Sequence, residues 1–150
     1  MVYSYEIHNS KWRQRGLYHA CRGGHFDIIE FLVGQGACDW NRGLLGACTG
    51  GKLDVIKWVT GKGATDFGDC LLVTCLIGHY NAVKFLIEKG ANEWDQGLVG
   101  ACMGGHLDLC RLMVEHGATD WNNGFGYARL KGNHLIMEYM IKCGANRQFI

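Results

Sequence analysis

The stretch GLYHACRGGHFDIIEFLVGQGACDWNR, Gly16 to Arg42, decides how this chain folds, because it returns. Laid over the rest of the chain without gaps, it matches segments beginning at Gly43, Cys70, Gly97 and Gly124, each 27 residues long, the fifth closing at Ile150. The shared pattern is G-L-x-x-A-C-x-G-G-H-x-D, then an apolar stretch, then G-A-x-D-W-N. Self-similarity at such a period is the signature of an array built by stacking one small unit.

Each unit reads as two helices. In the second unit the first helix spans roughly Asn41 to Thr49, with Leu44, Ala47 and Cys48 on one face. A Gly-Gly pair closes it, Gly50-Gly51 here and Gly23-Gly24 or Gly104-Gly105 elsewhere, since glycine accepts the left-handed backbone that ends a helix. The second helix, Asp27 to Gly34 in the first unit, carries Ile28, Ile29, Phe31, Leu32 and Val33. Those positions spread over too wide an arc for a single stripe, which predicts burial between neighbours. Asp27, Asp54 and Asp108 fall in its first turn, and Lys62, Lys89 and Lys142 near its end. Both placements suit the helix dipole, by about 0.3–1 kcal/mol each. One such pair cannot bury its own apolar face, whereas stacked copies can.

The rest of the composition excludes more than it proposes. Hydrophobic residues make up 48% of 150 positions, enough for a sizeable core, and the net charge is only +1. Lys and Arg are scattered singly along the chain, so nucleic acid is not the expected partner. The longest apolar run, Cys70 to Gly78, is interrupted by Thr74 and is far too short to span a bilayer. Residues 1–16 hold no continuous apolar stretch, so no signal peptide is expected. Eight cysteines without a C-x-x-C suit buried thiols in a reducing cytoplasm.

At Ala20-Cys21-Arg22-Gly23-Gly24-His25, again at Ala101 through His106, and at the glycine-alanine after every second helix, the units resemble ankyrin repeats. The resemblance covers residues 16–150. It implies an all-α, ankyrin-like helical-repeat solenoid of five helix-turn-helix units: 16–42, 43–69, 70–96, 97–123 and 124–150. The usual ankyrin period is about 33 residues. The missing positions fall where the family builds its β-hairpin fingers, which are therefore expected to be shortened or absent. Trp40, Phe67, Trp94 and Trp121 occupy the shortened link. This D-W-N variety resembles the ankyrin repeats of large DNA viruses that infect protists, which implies a viral protein acting on a host component, in the host cytoplasm. The resemblance further implies that the histidine after Gly-Gly orders the turn between helices by hydrogen bonds.

Most residues that invite a chemical reading have a plainer one. Cys21, Cys48, Cys75 and Cys102 recur at one repeat position, and His25, His79 and His106 lie four residues beyond three of them. Cys-x3-His supplies half of a tetrahedral zinc site, but glycines between the two end the helix there. Cysteine also packs well as a small hydrophobe. Serine occurs only at Ser4 and Ser10, and the chain shows no nucleophile–base constellation, so no enzyme activity, cofactor or metal is expected. The tryptophans read as core filling rather than stacking platforms, and Asp39, Asp66 and Asp120 beside them read as helix caps.

Variation at a fixed register is the remaining signal. After the first helix the units show Arg22, Thr49, Leu76, Met103 and Leu130. The next position is glycine in three units but Ile77 and Lys131 in the others, and Val73 and Tyr127 stand where Gly46 and Gly100 do. With their apolar members in the middle of the array, these nine residues form the candidate partner surface, on the inner face of the first helices and the turns after them. The expected partner is another protein, with the chain a monomer or weak homo-oligomer. Two other readings stay open: a metal- or redox-responsive thiol protein using the cysteine ladder, and a self-associating structural protein. Arg129 at the ladder position and Arg147-Gln148 in place of Asp-Trp lead to the expectation that the array ends with the fifth unit. Residues 1–15, in which Trp12 and the Arg13-Gln14-Arg15 after it mimic the D-W-N-R link, are expected to cap the first unit with Tyr3, Tyr5 and Ile7.

Overall fold

A computed structural model describes the backbone of residues 2–146 and the side chains of residues 11–146. The described residues form helices joined by short turns and links, with no strand among them. The first helices of the repeats are α1 (Val2–Gly23), α3 (Trp40–Gly50), α5 (Gly68–Ile77), α7 (Trp94–Gly104) and α9 (Trp121–Leu130). Each packs against the second helix of its own repeat: α2 (Phe26–Gly34), α4 (Leu53–Gly61), α6 (Tyr80–Glu88), α8 (Leu107–Glu115) and α10 (His134–Cys143). The backbone from Val2 runs unbroken into the first repeat, so residues 2–15 prolong its first helix. The expected cap contacts of Tyr3, Tyr5 and Ile7 lie outside the described side chains, as Arg147 and Gln148 lie outside the described residues.

The repeat is visible in how the helices end. Gly51, at φ 63°, closes α3, and Gly63, at φ 106°, closes the turn after α4; the same two registers recur in every repeat. The alanine after the second glycine is buried, and its N–H bonds back to the second helix: Ala37 to Leu32 O at 2.9 Å, Ala64 to Val59 O at 3.2 Å, Ala118 to Met113 O at 3.0 Å. That bond satisfies a carbonyl the helix end would otherwise orphan. It also turns the chain into a short link before the next first helix.

A polar ladder then fixes the links. Asn41 Oδ1 accepts from the N–H groups of Thr65 and Asp66 at 2.8 and 3.1 Å. Asp95 Oδ1 does the same for Thr119 and Asp120 at 2.6 and 2.9 Å. Asn122 Oδ1 accepts from Asn146 N–H at 2.8 Å, and Gln14 Oε1 from Asp39 N–H at 3.0 Å. Gln14 thus takes the part of the link asparagine that its neighbours mimic in sequence. The third repeat has Gly68 at this register. There the Glu93 carboxylate fills the vacant space, its Cδ 3.2 Å from where a Gly68 side chain would begin, and its Oε2 accepts from Asn92 N–H at 3.2 Å.

The helices gather into two compact units, Met1–Asp66 and Phe67–Ile150. In the first, α3 lies against α1 with its backbone in direct contact. A Cβ on Gly46 would collide with the Tyr18 carbonyl, and one on Gly50 with the Arg22 carbonyl. Glycines four apart on one helix face let backbones approach this way. In the second unit Gly100 and Gly104 of α7 abut the carbonyls of Leu72 and Leu76 in α5. Tyr127 of α9 and Lys131 just after it stand at those registers, and α9 contacts α7 far less extensively than α5 does. Small against bulky at two positions therefore sets how closely successive first helices sit.

The core follows the same period. Leu17, Leu44, Leu71 and Leu98 are fully buried, as are Cys21, Cys48, Cys75 and Cys102. Thr74, the one buried polar side chain among the described residues, replaces the alanine of this pattern and donates its hydroxyl to Cys70 O at 2.6 Å.

Candidate functional site

The nine residues singled out from the sequence fall on the ends of the first helices. In the first unit Arg22 is exposed at the end of α1, and Thr49 is half-buried in α3. Thr49 is already engaged: its hydroxyl donates to Leu45 O at 2.7 Å and accepts from Tyr18 OH at 3.4 Å. Gly50 abutting the Arg22 carbonyl makes these two positions neighbours. In the second unit Val73, Leu76 and Met103 are half-buried, Ile77 is 38% exposed, and Leu130 is 82% exposed. Tyr127 is half-buried and Lys131 exposed. Gly104 against the Leu76 carbonyl puts Met103 beside Leu76, and α9 packs on α7 with Leu130 at the same register. Val73 and Tyr127 share the register at which Gly46 and Gly100 meet a neighbouring backbone, so that register is a helix–helix contact in α3 and α7.

The cysteine ladder is closed to solvent. Burial pushes the Cys21 and Cys75 thiols up to about 12, so both are neutral at physiological pH, whereas thiolate is the form that binds metals and reacts. Cys110 of α8 lies with its sulfur 3.5 Å from that of Cys102. The contact with Cys102, followed by burial, raises the Cys110 pKa far above its usual value. That pairing joins a ladder cysteine to one outside the ladder, and the repeat pattern gives no sign of it. Among the described residues no group of three His, Cys, Asp or Glu side chains is placed to hold a metal ion.

The histidine turns work by shape rather than by capping. His25, His79 and His106 stand at the N-caps of their second helices and make no side-chain capping bond, while their N–H groups bond back across the turn to the Ala20, Thr74 and Ala101 carbonyls. Instead the His106 ring fills the space a side chain on Gly78 or Gly104 would need, and the His25 ring does so at Gly23. Asn133, at the same register in the fifth repeat, does cap, accepting from Ile136 N–H at 3.2 Å. The expected aspartate caps divide similarly. Asp39 Oδ1 accepts from Arg42 N–H at 3.0 Å, whereas Asp120 makes no capping bond and α5 begins after Phe67 rather than after Asp66.

Trp40, Trp94 and Trp121 are half-buried at helix starts, each turned toward a second helix or its closing turn. Trp40 meets Trp58 edge-on at 5.8 Å between centroids, and Trp94 lies 4.9 Å from the His116 ring. Trp121 sits beneath Gly144 while its Nε1 donates to Ala118 O at 3.0 Å. Rings occupied in this way wedge each link against the second helix. No family model matches the chain, and no curated protein matches it. The likeness to ankyrin repeats rests on the repeat residues alone. No helix of the described residues is long and apolar enough to cross a membrane.

Proposed function

We propose that the chain is a protein-interaction scaffold of ankyrin-like repeats stacked as a fingerless solenoid, holding a partner protein with the ends of its first helices. The observation that carries this reading is Leu130, 82% exposed at a register where the framework is constant and the side chain is not. Large apolar side chains left in water at a fixed place on a rigid support are what interfaces use as anchors. Leu76, Ile77 and Met103 extend the apolar character, while Lys131 supplies polar rim. Eight free cysteines, six of them buried, fit a reducing compartment such as the cytoplasm.

Affinity capture tests this reading. The immobilised chain and its Leu76→Glu/Leu130→Glu variant are compared by quantitative mass spectrometry, after circular dichroism has shown equal helicity. Proteins enriched by the wild type and lost by the variant are expected. Identical recovery by both refutes the site.

A further inference from the structure

The outer side of α2 differs from every other second helix. Ile28 is 45% exposed, whereas Val55, Ala82, Leu109 and Ile136 at the same register are exposed by 2% or less. Phe31, one turn on, is 61% exposed, while Trp58, Phe85, Leu112 and Tyr139 at its register are half-buried. Residues three apart on a helix share a face, so Ile28 and Phe31 form one apolar spot. The other repeats show what meets that register. Trp58 receives the edge of Phe26 from the preceding second helix, with ring centroids 6.1 Å apart. Tyr139 lies under the guanidinium of Arg111 from the preceding second helix, 5.8 Å from its ring centroid. In both cases the occupant is a helix, and in one it presents a cation to the ring.

Charge narrows the occupant further. The α2 sequence, FDIIEFLVG, carries Asp27 and Glu30 and no basic residue, while each of α4, α6, α8 and α10 has at least one Lys or Arg. Asp27 is four residues from Phe31, so its carboxylate borders the apolar spot; Glu30 stands at the register from which Arg111 reaches the following second helix, away from Ile28.

We infer that the exposed face of α2 docks a basic amphipathic helix of a partner protein, its apolar stripe on Ile28 and Phe31 and its cations over the Phe31 ring and against Asp27. The inference rests on the interaction-scaffold reading for the kind of partner, but uses a different surface from the ends of the first helices.

The probe is a synthetic Leu/Lys peptide of about 18 residues, long enough to hold a helix on a surface, with leucines at i, i+3, i+4 and i+7. A Leu/Glu peptide of the same pattern is the control. Binding to the full chain is read by fluorescence anisotropy. Saturable binding of the Leu/Lys peptide is expected, weakened roughly tenfold by Phe31→Ala, the loss of one well-packed aromatic anchor. Asp27→Lys, which alters only an exposed side chain, is expected to weaken it by a similar factor and to bring in the Leu/Glu peptide. Absence of binding, or equal binding by wild type and both variants, overturns the proposal. So does loss of peptide binding in Leu76→Glu/Leu130→Glu with the α2 variants unaffected, which points to the first-helix ends instead. Sedimentation that finds a dimer abolished by Phe31→Ala also overturns it, in favour of a second copy of the chain.

Discussion

Replacing Gly46 by alanine tests how the first helices are held together. Gly46 is a helical position in the middle of α3, so by helix propensity alone alanine stabilises, by up to about 1 kcal/mol. The structure reverses the sign. The added Cβ lands within contact distance of the Tyr18 main chain, 3.0 Å from its carbonyl carbon and 3.1 Å from its Cα, and closer still to the carbonyl oxygen. A flexible side chain would yield, but a helical carbonyl cannot move without its helix. The two helices must separate, with loss of contact around the buried Leu17, Cys21 and Ala47. Overpacking of this kind costs about 1–3 kcal/mol, and rigid main chain argues for the upper end. Set against the propensity gain, the net loss is about 2 kcal/mol, which for a chain of 150 residues lowers the melting temperature by about 4–8 °C. Gly126→Ala in α9 is the matched control, because its Cβ meets nothing within 4 Å. That variant should gain about 0.5–1 kcal/mol. The assay is urea unfolding followed by circular dichroism for both variants. Gly46→Ala at or above wild-type stability refutes the close helix contact.

Removing a link residue and raising the pH probe the same geometry at other points. Asn41→Ala frees the N–H groups of Thr65 and Asp66 and is expected to lower stability by about 1–2 kcal/mol, with Asn41→Asp retaining most of it; equal urea midpoints for Ala and wild type would remove the ladder's role. For Cys21 and Cys75 the folded pKa is raised from 9.0 to about 12, so their contribution to stability is complete below pH 9. It is lost as pH climbs from there toward 12, because the unfolded chain releases protons that the folded one keeps. Urea midpoints should fall across that window. An aromatic disulfide reagent at pH 8 should modify exposed Cys38 while sparing the four ladder thiols. Ladder thiols reacting as fast as Cys38 would mean that the core is open.

Much of the fold is legible in the sequence because the repeat constrains it. The expected first helix from Asn41 to Thr49 is one residue shorter at each end than Trp40–Gly50, and the expected second helix from Asp27 differs from Phe26–Gly34 by one position. Glycines and alanines after the helices are local backbone signals, so they can be read without neighbours. The link ladder is not legible: Gln14, Asn41, Asp95 and Asn122 differ in kind, and their shared task shows only when a link from the next repeat brings its N–H groups within reach. The histidine turns are legible only in part: the repeat names the residue, but that its ring takes the space beside a glycine shows only in the packed turn.

Spacing along a single chain is enough to set the period, the helix pair within each period, and the burial of a cysteine at one register in four of the five repeats. Which surfaces meet is a matter for the packed helices. Glycine or a bulky residue at the registers of Gly46 and Gly50 sets the distance between neighbouring helices, and Cys110 finds Cys102. Lys11, Arg15 and Arg42, scattered in sequence, converge with Gln14 and Asp39 on one cleft of about 340 Å³. Ile28 is left in water while its four counterparts are covered. Local spacing fixes a helix because its bonds join residues four apart. Exposure depends on what another helix brings to the same place.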